Sequence, residues 1–339
     1  MDTREIIIER QAYINRAPIE DCAMMQRAQS NDDATMKKWR DVWLNNIRLN
    51  KEKFISFKDH GFDKIFGLFS LRPCIIAGSG PSLKKSVGKL KDRPSNMGLV
   101  SCLHNFHFME DNDADVDLYV TLDSGTVTIE EVYEGGKHSP EYYWEKTKDK
   151  KLAAFIGTNP TLLEKWQGPI YFFNSPIPDE ELRGEINKIE PYNVWVETGG
   201  NVLGCATMIA KGFLGSPVTI FVGADFSFSN EKTRKFHGWD SKYDKEIGNC
   251  VAAIDIFGNR TLTWQSYHNF KLWFDVLAQR VPGIYINASD AGTMGAYREG
   301  NIRQILQLNI DEVYDMFRLY HKKMDQAQTP EKENNLLFI

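Results

Sequence analysis

The sequence has 339 residues, a formal net charge of -5, and a composition that is 42% hydrophobic and 12% aromatic. This apolar content is typical of a folded protein with a substantial core and excludes a disordered chain. The acidic balance offers no general attraction for nucleic acid. The five cysteines form no C-x-x-C pair, the charged start lacks a signal-peptide core, and no stretch approaches the ~18 apolar residues of a membrane span. We therefore expect a cytoplasmic protein without a membrane or nucleic acid partner.

Residues 1–70 predict a helical N-terminal extension without strands. Large apolar side chains recur there at three- and four-residue spacing, which is the pattern of one helix face: Met36, Trp39, Trp43 and Ile47. Asp32 or Asp33 is the predicted N-cap of this helix. We expect the apolar face to pack on the following domain or on a partner chain, as in a homo-oligomer.

From Cys74 onward, short apolar runs predict buried strands. They are "CIIAG", "GLVSCL", "VDLYVTL", "KLAAFIG", "PIYFF", "PVTIFVGADF" and "GIYINAS". Runs that are apolar on both faces favour a parallel sheet covered by helices on each side. Helical segments separate several of these runs, which is the alternation of an α/β protein.

Two helices between the later runs are predicted from apolar periodicity. One begins near Thr198, its predicted cap, and buries Val202, Ala206, Ile209 and Phe213. The other buries Phe270, Trp273, Phe274 and Leu277 and ends at the Pro-Gly pair 282–283.

The whole pattern predicts an α/β fold, a Rossmann-like doubly wound and mostly parallel sheet with helical extensions at both ends. The domain boundaries follow from the change in the pattern of apolar residues along the chain. We assign residues 1–70 to the N-terminal extension, 71–300 to a nucleotide-binding transferase domain, and 301–339 to C-terminal helices and a mobile tail. Ligands of such folds bind at the carboxyl ends of the strands, so the residues after each run are the candidates for a site.

A glycine loop follows the first strand and reads Gly78-Ser79-Gly80-Pro81-Ser82. The glycines permit a sharp turn and close backbone approach to a ligand, and Pro81 suits the first position of a helix whose free N–H groups favour an anion. A simple strand-to-helix turn would have the same pattern. The loop is neither a P-loop nor a complete G-x-G-x-x-G.

Polar side chains also follow the second and third strands. The amide of Asn105 suits a base edge or a sugar hydroxyl, and His104 and His107 flank it. Asp123 follows the third strand, where it could bind a ribose hydroxyl, hold a metal ion or cap the next turn.

Further candidates follow in the second half of the chain. Thr198, Gly199, Gly200 and Asn201 open a helix and offer free amides for a second anion or base pocket, or only close helix–sheet packing. Asp225 ends the sixth run, as a catalytic acid or a buried cap. Ser289 and Asp290 follow the last run and could close the pocket floor or form a turn.

Two histidines are candidates for a general acid or base. His237 lies on a loop beside a glycine, and His268 lies at the start of a predicted helix. The acidic residues around His237 match no familiar metal-ligand spacing. The chain also lacks G-x-S-x-G, H-E-x-x-H and P-loop motifs, which excludes the esterase, zinc protease and P-loop kinase classes.

Taken in order, these motifs resemble the DUF115 or MptE-like family. The segments that carry the resemblance are "IIAGSGPSL", "DLYVTLD", "GGNVLGCATMIAKGFLGSPVTIFVGADFSF", a loop with "HG", and "INASDAGTMG", over roughly residues 40 to 300. That family includes the motility-associated (Maf) flagellin glycosyltransferases and is named for 6-hydroxymethylpterin diphosphokinases. A more distant likeness is to bacterial sialyltransferases that use CMP-sialic acid, which carry a similar "AGxGPSL" strand end.

Carried over residue by residue, the resemblance implies a donor-binding site. It would consist of Gly78, Ser79, Gly80, Pro81, Ser82 and Asn105, with Gly199, Gly200 and Asn201 closing round the nucleotide. The sialyltransferases use a histidine as base, but the resemblance does not choose between His237 and His268.

The resemblance leaves three functions open. The leading one is a glycosyltransferase that moves a sugar from a CMP-linked nonulosonic acid donor to a protein or glycan acceptor, without an obligatory cofactor. The second is a Mg²⁺-ATP diphosphokinase acting on a pterin-like alcohol, for which Asp123 and Asp225 would hold the metal. Only one acid, Asp123, follows the third strand, and this favours glycosyl transfer. The third is a non-catalytic nucleotide-binding or assembly protein with the same fold.

Overall fold

The core of the chain is an eight-stranded sheet in which every pairing is parallel. The structure is a computed structural model that describes residues 19–54, 60–177, 179–191, 194–228, 250–296 and 304–328. The sheet strands are β1 (Cys74–Ala77), β2 (Gly98–Cys102), β3 (Leu118–Thr121), β4 (Leu152–Phe155), β5 (Ile170–Phe173), β6 (Val218–Val222), β9 (Ile284–Asn287) and β10 (Ile305–Gln307). A separate antiparallel hairpin consists of β7 (Cys250–Ile254) and β8 (Arg260–Trp264).

Helices cover the sheet and lie between its strands. They are α1 (Ile19–Lys53), α2 (Leu83–Leu90), α3 (Phe106–Glu110), α4 (Val127–Glu130), α5 (Pro140–Lys146), α6 (Pro160–Lys165), α7 (Glu180–Ile189), α8 (Val202–Gly212), α9 (Gln265–Arg280) and α10 (Ile310–Gln328). None of these helices is both long and apolar enough to cross a membrane.

The strand order confirms the predicted Rossmann-like, doubly wound α/β fold. The order across the sheet is β10-β9-β6-β1-β2-β3-β4-β5. The chain runs outward from β1 to β5, returns to β6 on the other side of β1, and continues outward to β10. All seven predicted apolar runs form sheet strands, and β1, β2, β3, β4 and β6 are buried along their whole length. The switch point therefore lies between β1 and β6, where a ligand crevice is expected.

The N-terminal helix packs on the chain's own sheet domain. Ile47 is fully buried, and Trp43 meets the ring of Phe155 edge-on with centroids 6.0 Å apart. Helix α1 is described from Ile19 onward, so the prediction of Asp32 or Asp33 as its cap is wrong. Helical geometry extends upstream of both aspartates, and the apolar stripe marks only the part of the helix that meets the domain.

Two segments differ from the helical and loop structure that the sequence predicts. After residue 300, where helix was expected, Ile305–Gln307 forms edge strand β10 because the backbone pairs with β9. The β7–β8 hairpin was not predicted. The sequence cue for this hairpin is the turn with Asp255 and Gly258 between its two strands. Asp255 accepts hydrogen bonds from Phe257 N (2.9 Å) and Asn259 N (2.8 Å), and Gly258 has φ +86°.

Candidate active site

The glycine loop after β1 is bound edge to edge to the loop after β6. Gly78 N donates to Val222 O (2.8 Å), and Gly80 N donates to Gly223 O (2.7 Å). A Cβ on Gly80 would lie 2.6 Å from both Gly223 O and the Oδ2 of Asp225, closer than real Cβ atoms approach. Glycine is therefore required at position 80 by the close approach of two loops.

Asp225 holds this loop in place from below. Its carboxylate accepts hydrogen bonds from Ser82 N (2.8 Å) and Ser82 Oγ (2.5 Å), and the residue is 3% exposed. Burial raises the pKa of the carboxyl to about 6, and the two bonds from Ser82 partly oppose that rise. The predicted catalytic residue Asp225 is thus placed as a buried cap of the glycine loop.

The start of the following helix also differs from prediction. Helix α2 begins at Leu83, so Pro81 lies in the turn before the helix and not at its first position. Ser82, which was expected to contact the donor, already donates its amide and its hydroxyl to Asp225. Ser79 is the residue of this loop that lines the open cleft.

Asn105 lies beneath the glycine loop and not on the cleft surface. The residue is fully buried, and its Nδ2 donates to Ala77 O (3.1 Å), Gly78 O (3.2 Å) and the Oγ of Ser101 (3.1 Å). These bonds hold the carbonyls at the end of β1. In this arrangement Asn105 supports the loop that would meet a donor.

A cleft of about 230 Å³ opens at the carboxyl ends of β1, β2 and β3. It is lined by Ser79, Leu103, His104, Val120, Thr121, Asp123, Glu131, Val202 and Tyr267. The strand ends supply Ser79, His104 and Asp123, as expected when parallel strands meet at one edge. No lysine or arginine lines it within the described part of the chain, so its ionisable lining is acidic apart from His104 and the phenol of Tyr267.

Two carboxylates and an imidazole interact within this cleft. His104 Nδ1 lies 3.3 Å from Glu131 Oε1, and both side chains are largely buried. Asp123 lines the cleft and is exposed to solvent there. Partial loss of hydration raises the Asp123 pKa to about 6, the charge of Glu131 adds to the rise, and His104 opposes it.

The loop before α8 has a different cap from the predicted one. Asn201 is the N-cap, and its Oδ1 accepts from Gly204 N (2.9 Å), whereas the Oγ1 of Thr198 accepts from Gly200 N (3.2 Å). Gly199 has φ +59°, and a Cβ there would lie 2.4 Å from the ring of Trp273. Close packing against Trp273 therefore requires glycine at position 199. Gly200 is exposed, and Val202 at the helix start lines the cleft.

The loop after β9 braces the loop after β6. Ser289 is 2% exposed, and its Oγ accepts from Ala224 N (3.0 Å). Thr293 N donates to Asp225 O (2.7 Å). Asp290 is exposed, with φ +52°, and does not line the cleft. Neither Ser289 nor Asp290 lines the cleft, so the predicted role in its floor is not seen, and Ser289 instead braces the neighbouring loop.

The two candidate histidines have different outcomes. His237 lies outside the described residues. His268 is half-buried in α9, one residue beyond Tyr267, and does not line the cleft. Sequence reasoning missed Glu131 and Tyr267, and it noted His104 only as a neighbour of Asn105. Glu131 follows helix α4, and Tyr267 follows hairpin strand β8, which was not predicted, so the ends of the predicted strands could not have located them.

We expect removal of the Asp123 charge to stabilise the folded protein in a pH-dependent way. The pKa of this carboxyl is about 6 in the folded chain against an ordinary value of 3.8. The folded state therefore holds the proton more tightly than the unfolded state, and ionisation lowers stability as the pH rises through 6. Asp123→Asn is expected to raise the free energy of unfolding at pH 7, and with it the melting temperature. The gain should be less than about 1 kcal/mol, because solvent in the cleft screens the charge.

The measurement is a pair of thermal melts for wild type and Asp123→Asn. The gain at pH 7 should disappear below about pH 4, where the carboxyl is neutral in both states. A variant that melts below the wild type at pH 7 would show that the carboxylate stabilises the fold.

Comparisons with known proteins agree with the fold. A family model described as 6-hydroxymethylpterin diphosphokinase MptE-like matches residues 45–231. The structure of the Maf glycosyltransferase from Magnetospirillum magneticum AMB-1 superposes with a TM-score of 0.55 at 14% sequence identity. The match covers 85% of this chain but 42% of that chain, and it shows a shared fold. No match was found among curated proteins. The predicted resemblance to the MptE-like family is confirmed by the family model, and the likeness to the Maf glycosyltransferase is one of fold.

Proposed function

Because the chain belongs to the 6-hydroxymethylpterin diphosphokinase MptE-like family, we propose that it is a glycosyltransferase with a nucleotide-activated donor. The donor is a CMP-linked nonulosonic acid, and the acceptor is a hydroxyl group of a protein or glycan. The observation that carries the proposal is the cleft in which Ser79 of the glycine loop meets the polar strand ends His104 and Asp123. The Maf glycosyltransferase with the same fold supports this class of reaction.

The charges of the cleft favour a donor with a single phosphate group. A CMP-sugar carries one phosphate, which is already a good leaving group, so its transfer needs positioning and a base for the acceptor hydroxyl. A nucleoside triphosphate carries more negative charge, and the described cleft lining offers no lysine or arginine to neutralise it.

The second candidate function is a Mg²⁺-ATP diphosphokinase, and one observation favours it. Glu131 shares the cleft with Asp123 and supplies the second carboxylate that the strand ends lack. Within the described chain no three acidic, histidine or cysteine side chains form a metal cluster, but Mg²⁺ is commonly held by one or two carboxylates and substrate phosphates. Asp123 and Glu131 fit that requirement, and the ion would neutralise phosphate charge. Asp225 accepts two hydrogen bonds from Ser82 and does not line this cleft.

A thermal-shift panel tests both candidates. A ligand of the folded state stabilises it by about 2.7 kcal/mol at a hundredfold excess over Kd. We expect CMP and CDP to raise the melting temperature by a few degrees without metal. Stabilisation only by ATP or AMP together with Mg²⁺ would favour the diphosphokinase, and no response to any nucleotide would contradict both functions.

Two glycine variants locate the binding site in the same experiment. Gly80→Ala forces the glycine loop away from Gly223 and Asp225 and is expected to abolish the CMP shift. Gly88→Ala is the matched control, since it adds the same methyl group to an exposed helical position with no atom within 4 Å. A full CMP shift in Gly80→Ala would place the nucleotide elsewhere.

A further inference from the structure

Asp123 differs from the other carboxylates near the cleft in having no bonded partner. Asp225 accepts two hydrogen bonds from Ser82, and Glu131 pairs with His104 at 3.3 Å. Asp123 forms neither a hydrogen bond nor an ion pair with any residue in the described ranges, although its carboxylate lines the cleft. The fold therefore leaves this one strand-end carboxylate available to a ligand.

The surroundings of Asp123 suit proton transfer. The titratable groups that line the same cleft are His104 after β2, Glu131 after α4, and Tyr267 in α9. Dehydration and the charge of Glu131 raise the Asp123 pKa to about 6, close to neutral pH. A base works best when its pKa lies near the working pH, because it is then both ionised and able to hold a proton. An unpaired carboxylate in a cleft is costly for stability, and such groups concentrate at functional sites.

We propose that Asp123 is the general base that takes the proton from the acceptor hydroxyl, an inference that rests on the proposed glycosyl transfer. As the proton moves to Asp123, the acceptor oxygen forms a bond to the anomeric carbon of the donor sugar. The bond between that carbon and the phosphate oxygen breaks, and its electron pair leaves with CMP. Asp123 then releases the proton to solvent. The pair of His104 and Glu131 forms the neighbouring wall, and neither His237 nor His268 is needed for this step.

The test uses CMP-N-acetylneuraminic acid as donor and water as acceptor, with the full chain. Asp123→Asn is expected to lower kcat for donor hydrolysis by about a hundredfold or more. KM and the thermal shift by CMP should stay unchanged, because the amide keeps the shape of the side chain. Asp113→Asn is the control: Asp113 is an exposed aspartate on the loop before β3, so the same charge is removed away from the cleft. It should retain wild-type kcat.

Two further readouts separate a base from a merely structural residue. In the wild type, kcat/KM should fall as the pH drops below about 6, because protonated Asp123 cannot accept a proton. This limb should be absent in Asp123→Asn. Added formate should restore part of the lost rate to Asp123→Ala, since it can occupy the vacated space as an external carboxylate.

The outcomes distinguish this inference from the proposed function. An Asp123→Asn variant that keeps kcat, or that loses the CMP shift, would overturn the base assignment while donor turnover by the wild type still supported the function. A wild type that neither hydrolyses the donor nor responds to CMP would overturn the function itself, and the base assignment with it.

Discussion

Asp225→Ala is expected to lower the free energy of unfolding by about 2–3 kcal/mol and to abolish CMP binding. The substitution removes the acceptor of two buried hydrogen bonds from Ser82, one from the amide and one from the hydroxyl. A buried N–H without a partner carries its full desolvation cost. The loss of stability is reduced because burying the carboxylate itself costs free energy, as its raised pKa shows. Urea titration measures the stability, and calorimetry with CMP measures binding.

Asp225→Asn is the matched control for shape. Its Oδ1 can still accept from Ser82 N, and its Nδ2 can donate to Ser82 Oγ, so we expect it to keep most of the stability and the loop geometry. The two proteins should differ in pH dependence. The Asp225 pKa is about 6 when folded against 3.8 ordinarily, so wild-type stability contains a contribution that is present below pH 4 and lost as the pH rises through 6.

Either of two results would contradict the assigned role of Asp225. One is an Asp225→Ala variant that unfolds at the wild-type urea concentration. The other is a variant that is destabilised but binds CMP with unchanged affinity, which would separate the glycine loop from the nucleotide.

Asn50→Ala is expected to destabilise the protein by about 2–3 kcal/mol, because it removes two hydrogen bonds that attach the N-terminal helix to the loop after β4. Asn50 is fully buried, and its Nδ2 donates to Ile156 O and Thr158 O, both at 2.9 Å. These carbonyls follow β4, and alanine would leave them without a donor inside the protein. Thermal and urea unfolding measure the effect.

Asn45→Ala is the control in the same helix. Asn45 is exposed, so the change should be neutral or stabilising by about 0.5 kcal/mol through helix propensity. If both variants have the same stability, the buried bonds of Asn50 do not attach α1 to the sheet. Asn46 provides a further comparison, because its Nδ2 donates to Ser124 O (3.1 Å), next to Asp123. Asn46→Ala should therefore disturb the cleft as well.

The strands were predictable because each is short, apolar on both faces and bounded by polar segments. The seven runs from "CIIAG" to "GIYINAS" carry that pattern in consecutive residues, and parallel strands of a covered sheet require it. The same local pattern located the glycine loop and Asp123 at strand ends. Strand β10 has only three residues and β8 (RTLTW) is largely polar, so neither has such a pattern, and both form where a neighbouring strand is available to pair. Strand β7 (CVAAI) is as apolar as the predicted runs and was missed.

The roles of the polar residues depended on contacts between segments far apart in the chain. Asn105 and Asp225 are residue types that commonly bind ligands at strand ends, yet here they hold backbone groups of the glycine loop. Glu131 and Tyr267 have no local signal and line the cleft. The chain's own pattern of apolar runs and glycines thus specified the sheet and the edge where a site would lie. Which carboxylate is bonded and which is open depended on long-range packing, because a hydrogen-bond partner more than a hundred residues away leaves no trace in local sequence.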